Sequence, residues 1–310
     1  MDMIPLFHLM ILIVFPPLLL GVIGKTKAFF AGRQGPSLWQ PYFDLYKLMQ
    51  KSPVYSVTTT WIFRAAPLVS TAAILAAGIL LPITSLKPAV QFWGDLVLFI
   101  YLFALARFVI VLAALDTGSS FEGMGASREA TFGCLSEITM FLNLTILALI
   151  SRQMSLSGIF IGGLASCWVL VGPVLILVVV SFFLVLLAEN ARIPIDDPET
   201  HLELTMIHEV MVLDHSGVDL AYILYGKAVK LFLFATLLIS VIFTFKTHQF
   251  FIDIVLFVIE ILGLAVVLGV VESTMARLRM NKVVYFLFSA FIFSIIGFIV
   301  VLVRLMGAHS

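Results

Sequence analysis

Long uninterrupted apolar runs dominate this chain and leave few folds open to it. Two of them, near residues 164–188 and 283–305, continue for more than twenty positions with hardly a charge. A helix needs about 20 such residues to cross a hydrocarbon layer of about 30 Å. Backbone groups in lipid must be hydrogen-bonded within their own segment, so runs of this length form helices. The sequence therefore predicts an all-α polytopic membrane protein.

Eight spans are predicted, and together they form a single integral membrane domain over residues 1–310. They lie near residues 4–23, 61–83, 93–115, 129–151, 164–188, 228–245, 252–271 and 283–305. Hydrophobic residues make up 62% of the chain and charged residues 12%, against roughly 45–50% and 25% in soluble domains. No separate soluble domain is expected. Kinks are predicted at prolines inside the spans, namely Pro16, Pro17, Pro67 and Pro173.

Basic residues are distributed unevenly between the two sides of the membrane. The segments after spans 1, 3, 5 and 7 hold twelve of the 18 lysines and arginines, and the opposite side holds four. The side richer in basic residues faces the cytoplasm. We therefore expect a multi-pass protein of the cytoplasmic (inner) membrane with both termini outward. Its functional loops would be the cytoplasmic segments 24–60 and 189–227, the second lying between spans 5 and 6.

Four charged residues lie more than two positions inside the predicted spans: Arg64, Arg107, Glu137 and Glu260. Each costs a few kcal/mol or more at the bilayer centre, so each should face protein or water. Glu129 precedes Glu137 by eight residues, which puts both on similar faces of one helix. This pattern favours a hydrated carboxylate path with Arg107 as its counter-charge. The alternative is a set of buried ion pairs that only orient the helices.

The first cytoplasmic loop combines a turn with an amphipathic segment. Turn chemistry at 32–36 is followed by apolar and aromatic residues at helical spacing over 38–49. Such a helix lies at the membrane interface. It is either an ordinary surface helix or the wall of a cavity under the membrane. The candidate docking or cavity-wall residues are Arg33, Gln34, Gly35, Pro36, Trp39, Asp44 and, from the segment before span 4, Arg128.

The second loop, from Ala188 to Leu220, holds eight carboxylates and three histidines but a single arginine. Helical periodicity is predicted over 199–213, and the apolar residues within it favour a docked segment over a free loop. The histidines recur every seven residues, too far apart along a helix for one metal ion, so no metal site is expected. A proton-relay or solvated role suits them better. No catalytic nucleophile–base pair and no nucleic-acid patch is identifiable.

The two cysteines, Cys134 and Cys167, both lie within apolar runs. An iron–sulfur cluster generally needs four protein ligands. We therefore expect this chain to bind no cofactor itself, and any redox centre to belong to a partner.

Four segments resemble those of a known family. They are Gly32–Leu48 (GRQGPSLWQPYFDLYKL), Leu115–Glu137 (LDTGSSFEGMGASREATFGCLSE), Ala188–Gly217 (AENARIPIDDPETHLELTMIHEVMVLDHSG) and Val271–Arg279 (VESTMARLR). These segments resemble the cytoplasmic segments of the complex I subunit 1 family. The likeness is greatest to its hydrogenase-associated branch, typified by formate hydrogenlyase subunit 4 and the membrane subunit of energy-converting hydrogenases.

The resemblance implies a membrane subunit that couples redox chemistry in a peripheral module to ion movement. Expected partners are hydrogenase-like large and small peripheral subunits, an iron–sulfur subunit and antiporter-like membrane subunits. The partners are expected to carry iron–sulfur clusters and a [NiFe] centre, with quinone as another possibility. The candidate proton or charge relay consists of Arg107, Glu129, Glu137, Glu189, Arg192, Asp196, Glu203, Glu209, Asp214 and Glu260. Asp214 and His215 depart from the family pattern, which has Glu before an aromatic residue.

Three other functions remain open at this point. The same scaffold could carry a quinone cavity in a respiratory oxidoreductase. A stand-alone ion transporter using Glu137 and Glu260 is a second alternative, although no internal repeat is visible. The third is a purely structural anchor with inert charges.

Overall fold

The computed structural model describes residues 3–84, 86–164, 167–196, 206–244 and 249–307, and this part of the chain contains ten α-helices. In chain order they are α1 (Met3–Val14), α2 (Pro16–Phe30), α3 (Gln40–Met49), α4 (Trp61–Leu80), α5 (Asp95–Asp116), α6 (Ser120–Ser151), α7 (Cys167–Glu189), α8 (Gly217–Ile242), α9 (Phe250–Thr274) and α10 (Met280–Gly307). A π-helical turn covers Gly158–Gly163 and a 3₁₀ turn covers Glu209–Val212. By length and composition, seven helices could cross a membrane, or eight if α1 and α2 form one bent span. The all-α polytopic prediction is confirmed.

Prolines interrupt two of the spans, because a proline has no N–H to continue the helical ladder. The first span bends by 41° between α1 and α2, where Pro16 and Pro17 open the second helix. In α7, Val171 leaves the helical region (φ −130°, ψ 24°) two residues before Pro173. By contrast, α4 continues through Pro67 as one helix.

The starts of two spans differ clearly from the sequence-based expectation, and α2 continues to Phe30 although the first span was expected to end near 23. Helix α6 begins at Ser120 and not near 129, and α8 begins at Gly217 and not near 228, so the second loop ends well before 227. Polar residues at these helix starts lowered the local hydropathy. In the folded chain these polar side chains are buried within the protein: Glu122 is fully buried and Asp219 is 8% exposed.

The prediction of a helix over 199–213 is wrong for residues 206–213, the part that the structure describes. These residues contain only the 3₁₀ turn Glu209–Val212. The carboxylate of Asp196 accepts hydrogen bonds from the backbone amides of Ile207 and His208, at 3.0 and 3.2 Å. A side chain therefore satisfies these two amides, and the apolar residues after them are buried without a regular helix.

The connections after α2, α5, α7 and α9 meet on one face of the helix bundle. Leu278 donates its backbone amide to the carbonyl of Pro194 at 2.7 Å, which joins the α9–α10 and α7–α8 connections. Val54 donates its amide to Ser216 Oγ at 2.9 Å, and Thr60 donates to Asp116 at 2.7 Å. We call this side of the molecule the loop face.

Helix α8 lies at the centre of the bundle. In its most apolar window 72% of the residues are buried, against 28% for α9 and α10. It packs against α4, which in turn packs against α5, while α10 packs against α6 and α7 and α2 packs against α9. The site described below lies where α5, α6, α7 and α8 meet.

A buried polar network ties α6, α7 and α10 together inside the membrane. Asn143 donates to Ser181 Oγ at 2.9 Å and accepts from Ser294 Oγ at 2.7 Å. Ser181 and Ser294 also bond each other at 2.7 Å. Polar side chains in lipid stabilise helix contacts through such bonds, at about 0.6 kcal/mol each and up to about 1.7.

We expect Asn143→Ala to lower the unfolding midpoint in detergent, corresponding to about 1–3 kcal/mol, because two interhelical bonds are lost and a cavity is left. Thr145→Ala is the matched control on the same helix, since Thr145 is only partly buried and its hydroxyl bonds the carbonyl of Phe141 within α6. Equal midpoints for the two variants would contradict a stabilising role for this network.

Candidate functional site

Arg107, on α5, is the centre of a buried charge cluster that joins three helices. Its Nε lies 3.0 Å from Oε1 of Glu129, and its Nη1 lies 2.7 Å from Oε1 of Glu137, both on α6. Its Nη2 bonds the carboxylate of Glu189 at the end of α7. The Arg107 side chain is only 9% exposed. A guanidinium presents its donors in a rigid planar fork, and here that fork serves three carboxylates.

The residues facing this guanidinium on α6 recur every four positions. Glu129, Gly133 and Glu137 therefore lie along one face of the helix. A Cβ atom at Gly133 would lie 2.4 Å from Nη1 and 2.7 Å from Cζ of Arg107. The missing side chain at Gly133 leaves the space that the guanidinium occupies.

Two further groups complete the cluster. Lys230 Nζ on α8 lies 2.6 Å from Oε2 of Glu189, and His208 Nε2 lies 3.0 Å from Oε2 of Glu129. Three carboxylates thus face the basic side chains of Arg107 and Lys230, with the His208 imidazole as a further group that can form hydrogen bonds. We call this set the Arg107 cluster: Arg107, Glu129, Glu137, Glu189, His208 and Lys230.

A second set of ion pairs lies at the loop-face ends of α2, α7 and α9. The Glu272 carboxylate, whose side chain is fully buried, lies 3.2 Å from Arg192 Nη1 and 3.3 Å from Lys27 Nζ. Nearby, Arg277 Nη2 lies 2.8 Å from Oδ1 of Asp196. Since Asp196 also accepts the amide of His208, it links this second set to the Arg107 cluster.

The structure brings part of the predicted relay set together. Arg107, Glu129, Glu137 and Glu189 meet in one cluster, and Arg192 and Asp196 lie in the adjoining ion pairs. Glu209 pairs with Lys227 at 2.6 Å. Asp214 is exposed and donates its backbone amide to Glu122 at 3.1 Å. Glu203 lies outside the described residues.

Glu260 does not join the Arg107 cluster. It lines a separate small cavity with Thr84 and Asp253, at the end of the bundle opposite the loop face. The predicted relay set also omitted several residues that the structure places in the ion pairs, namely Lys27, His208, Lys227, Lys230, Glu272 and Arg277. The excess of carboxylates in the second loop left two alternatives open, protonation or pairing with cations of other segments, and it did not identify these cations.

Most of the predicted docking residues lie on the surface. Arg33, Gln34, Gly35, Pro36, Trp39 and Asp44 are all exposed. Arg33, Gly35 and Pro36 also line an open groove with Lys27 and Phe30 at the end of α2. Arg128 differs, because its Nη1 donates to the carbonyl of Met206 at 2.9 Å and so holds the second loop against α6. The structure therefore places Arg128 in an internal contact and not on the exposed docking surface.

Three cavities adjoin the Arg107 cluster, and the smallest, of about 10 Å³, is lined by Glu129, Glu189 and His208. Another is an internal chamber of about 70 Å³ with a mainly apolar wall. The charged and imidazole side chains in this wall are those of Arg107, Glu129, His208, Lys227 and Lys230. The chamber holds a few water molecules. On the outside of α5 and α6, a lateral groove of about 470 Å³ is lined by apolar side chains together with Arg107 and Glu137. The Glu137 side chain is 29% exposed there.

His215 lies in the second loop, immediately before α8. Its ring stacks on Phe63 with centroids 3.9 Å apart and an interplanar angle of 5°, and the residue is 4% exposed. Neither ring nitrogen has a hydrogen-bond partner among the described residues. Burial disfavours the charged imidazolium and lowers the pKa of His215 to about 4.

Within the described ranges, no group of three or more His, Cys, Asp or Glu side chains is arranged to hold a metal ion. Cys134 is exposed on α6 and Cys167 is buried at the start of α7. The expectation that redox cofactors belong to partner subunits stays a prediction.

Fold and site together define a multi-pass membrane protein organised around buried ion pairs and a polar loop face. The chain belongs to the NADH dehydrogenase family, whose model matches residues 3–303. Hydrogenase-4 component C of Escherichia coli (strain K12) is 33% identical over 276 residues, covering 87% of this chain and 86% of that protein. Formate hydrogenlyase subunit 4 of the same organism is 28% identical over 302 residues, covering 95% and 97%. The resemblance seen in the sequence is confirmed.

The same fold occurs among solved structures. A chain of the membrane-bound sulfane sulfur reductase, an archaeal respiratory membrane complex, superposes with a TM-score of 0.83 at 18% identity, covering 96% of this chain and 98% of that one. At this identity the likeness establishes the fold alone.

We expect Gly133→Ala to displace the Arg107 guanidinium and to lower the unfolding free energy by about 1–3 kcal/mol, a typical cost of overpacking. The matched control on the same helix is Gly123→Ala, because a Cβ atom at Gly123 meets nothing within 4 Å. That substitution should be neutral or stabilising, since alanine favours helix over glycine. Denaturant midpoints in detergent measure both. A Gly133→Ala midpoint equal to the control would show that the guanidinium can move without cost.

The stability of the protein should depend on pH through His215. The pKa of His215 is lowered to about 4 in the folded chain, against about 6.5 when unfolded. The unfolded chain therefore binds more protons between these values, and the unfolding free energy falls as the pH drops from about 6.5 towards 4. His215→Phe keeps a ring against Phe63 and removes this dependence. Unfolding midpoints at several pH values test this, and parallel curves for the two proteins would contradict it.

Proposed function

We propose that this chain is the membrane-anchoring and ion-coupling subunit of a complex I-like membrane-bound hydrogenase of the formate hydrogenlyase type. It docks a peripheral module made of hydrogenase-like large and small subunits and an iron–sulfur subunit. It also relays protons or charge to antiporter-like membrane subunits. The redox centres belong to the partners, and this chain supplies the buried charges.

The observation that carries this proposal is the continuity of the Arg107 cluster. Short contacts run from Lys230 through Glu189 and Arg107 to Glu137. The cluster lines the internal chamber at one side and the lateral groove at the other. A change in protonation on the chamber side therefore alters the electrostatic potential at Glu137, because buried charges are screened only weakly.

Glu137 lies where a neighbouring membrane subunit would bind. A partly exposed carboxylate in a groove among apolar residues is costly against lipid. A membrane-spanning partner that covers the lateral groove removes this cost and receives the relayed charge. An antiporter-like subunit fits this position.

The loop face supplies the docking surface for the peripheral module. The exposed turn at 32–36 follows α2 on this side, and Trp39, immediately before α3, is also exposed. Because the loop-face segments carry most of the basic residues, the loop face is cytoplasmic in this proposal, with both termini outward in the cytoplasmic (inner) membrane.

Similarity to hydrogenase-4 component C and to formate hydrogenlyase subunit 4 supports the hydrogenase assignment. A second candidate is a quinone-cavity subunit of a respiratory oxidoreductase, which the open groove beside Lys27, Phe30 and Arg33 would favour. Quinone co-purifying stoichiometrically with the intact complex would support this candidate. The separate position of Glu260 weighs against a stand-alone transporter with one path through Glu137 and Glu260.

We expect Glu137→Gln to abolish most ion movement coupled to hydrogen evolution, because glutamine cannot carry the charge that is relayed. Glu137→Asp is the conservative control and should retain part of the coupling. The measurement is ion-gradient formation in sealed vesicles that contain the intact complex, with hydrogen evolution recorded in parallel. Unchanged gradient formation in Glu137→Gln would overturn the relay and leave a structural anchor.

A further inference from the structure

We infer that His208 is the residue through which the internal chamber exchanges protons with Glu129, and that Asp196 is the positioning residue that holds His208 there. This inference rests on the proposed function, because it names the entry point of the relay.

His208 stands between the chamber and the carboxylates. Its ring lines the chamber wall, and its Nε2 lies 3.0 Å from Oε2 of Glu129. The side chain is 15% exposed. Both ring nitrogens are buried; Nε2 is held at ion-pair distance from Glu129, whereas Nδ1 has neither a hydrogen-bond partner nor an ion-pair partner among the described residues. A buried ring nitrogen of this kind calls for a water molecule, and the chamber has room for a few.

The surroundings of His208 are charged on every side. Arg107 on α5, Glu129 on α6, Glu189 on α7, and Lys227 and Lys230 on α8 line the cavities around it. Of these groups, only the imidazole has two ring nitrogens that can accept a proton at one atom while the other donates one.

The transfer conserves one proton. A protonated water in the chamber gives its proton to Nδ1 of the neutral imidazole, while Nε2–H gives its proton to Oε2 of Glu129. The products are a water molecule, a neutral imidazole protonated at Nδ1 and a neutral Glu129. Neutralising Glu129 removes one of the three negative charges that face Arg107, so the Arg107 pairs with Glu137 and Glu189 strengthen. After Glu129 has passed its proton along the cluster, chamber water takes the proton from Nδ1 and returns one to Nε2, which restores the starting tautomer.

Asp196 fixes the position of His208 through the backbone. Its Oδ2 accepts the amides of Ile207 and His208, and its Oδ1 accepts from Arg277 of the α9–α10 connection. The Asp196 side chain is fully buried. A shift of Arg277 at the loop face is thereby transmitted to the ring that contacts Glu129.

The test uses the intact complex in sealed vesicles, with hydrogen evolution and proton movement recorded from about pH 5.5 to about pH 8.5, a range that brackets the ordinary pKa of histidine. We expect His208→Gln to keep hydrogen evolution but to lower proton movement by about tenfold or more, because glutamine can donate to Glu129 but cannot pass a proton on. In this variant, proton movement should also lose the change with pH near neutrality, the neutral limb, that the wild-type pH profile shows. His215→Phe, a second histidine of the same loop outside the Arg107 cluster, should keep that limb.

Asp196 is tested by a pair of variants. Asp196→Asn keeps an oxygen that accepts the two amides and should keep most proton movement, whereas Asp196→Ala loses the acceptor and should resemble His208→Gln. If His208→Gln does not assemble, this pair decides the inference: equal proton movement in the two variants overturns the positioning of His208.

The outcomes separate the inference from the proposed function. If Glu137→Gln uncouples the complex but His208→Gln keeps both proton movement and the neutral limb, protons enter elsewhere and the inference is wrong while the proposed function stands. If neither substitution changes proton movement, both are wrong.

Discussion

A single guanidinium inside the membrane holds carboxylates from two helices, and the packing of the bundle depends on it. The cost of an isolated charge in lipid is a few kcal/mol or more, and breaking a buried pair by removing one partner typically costs about 3–5 kcal/mol. Without Arg107, three carboxylates would be left facing one lysine. The register of α5 against α6 and the end of α7 is therefore set by the need to bring Glu129, Glu137 and Glu189 within reach of one side chain.

The second loop connects this buried cluster to the loop face. Its described residues have little regular helix, and side chains satisfy part of the backbone instead: Asp196 accepts two amides, and Arg128 holds the carbonyl of Met206. The loop thereby places His208 against a membrane carboxylate while its other contacts reach the α9–α10 connection. A regular helix would satisfy its own backbone and would leave fewer links between the loop face and the membrane interior.

The sequence predicts the helices well, because lipid imposes one length and one secondary structure on every span. It also predicts that Glu129 and Glu137 share a face, since the spacing of eight residues determines it. It could not predict that Lys230 belongs to the cluster, because the sequence does not determine which neighbouring helix a side chain near the start of a span faces. For Glu260, the sequence predicts its depth in the membrane but not its distance from the Arg107 cluster. The neighbour that a side chain faces is determined by helix packing. The pairing of His208 with Glu129 depends in the same way on the backbone bonds of Asp196.

Gly133 has a consequence for how this family can vary. The guanidinium of Arg107 occupies the place where a side chain on α6 would otherwise stand. Helices α5 and α6 can therefore be exchanged with those of a relative only together. A chimera that takes α6 from a chain with a larger residue at this position, while keeping Arg107, would fail to pack even if each helix alone were compatible with the membrane. Arg107 and Gly133 therefore depend on each other. A related sequence in which only one of the two residues is replaced is expected to arrange its intramembrane charges differently.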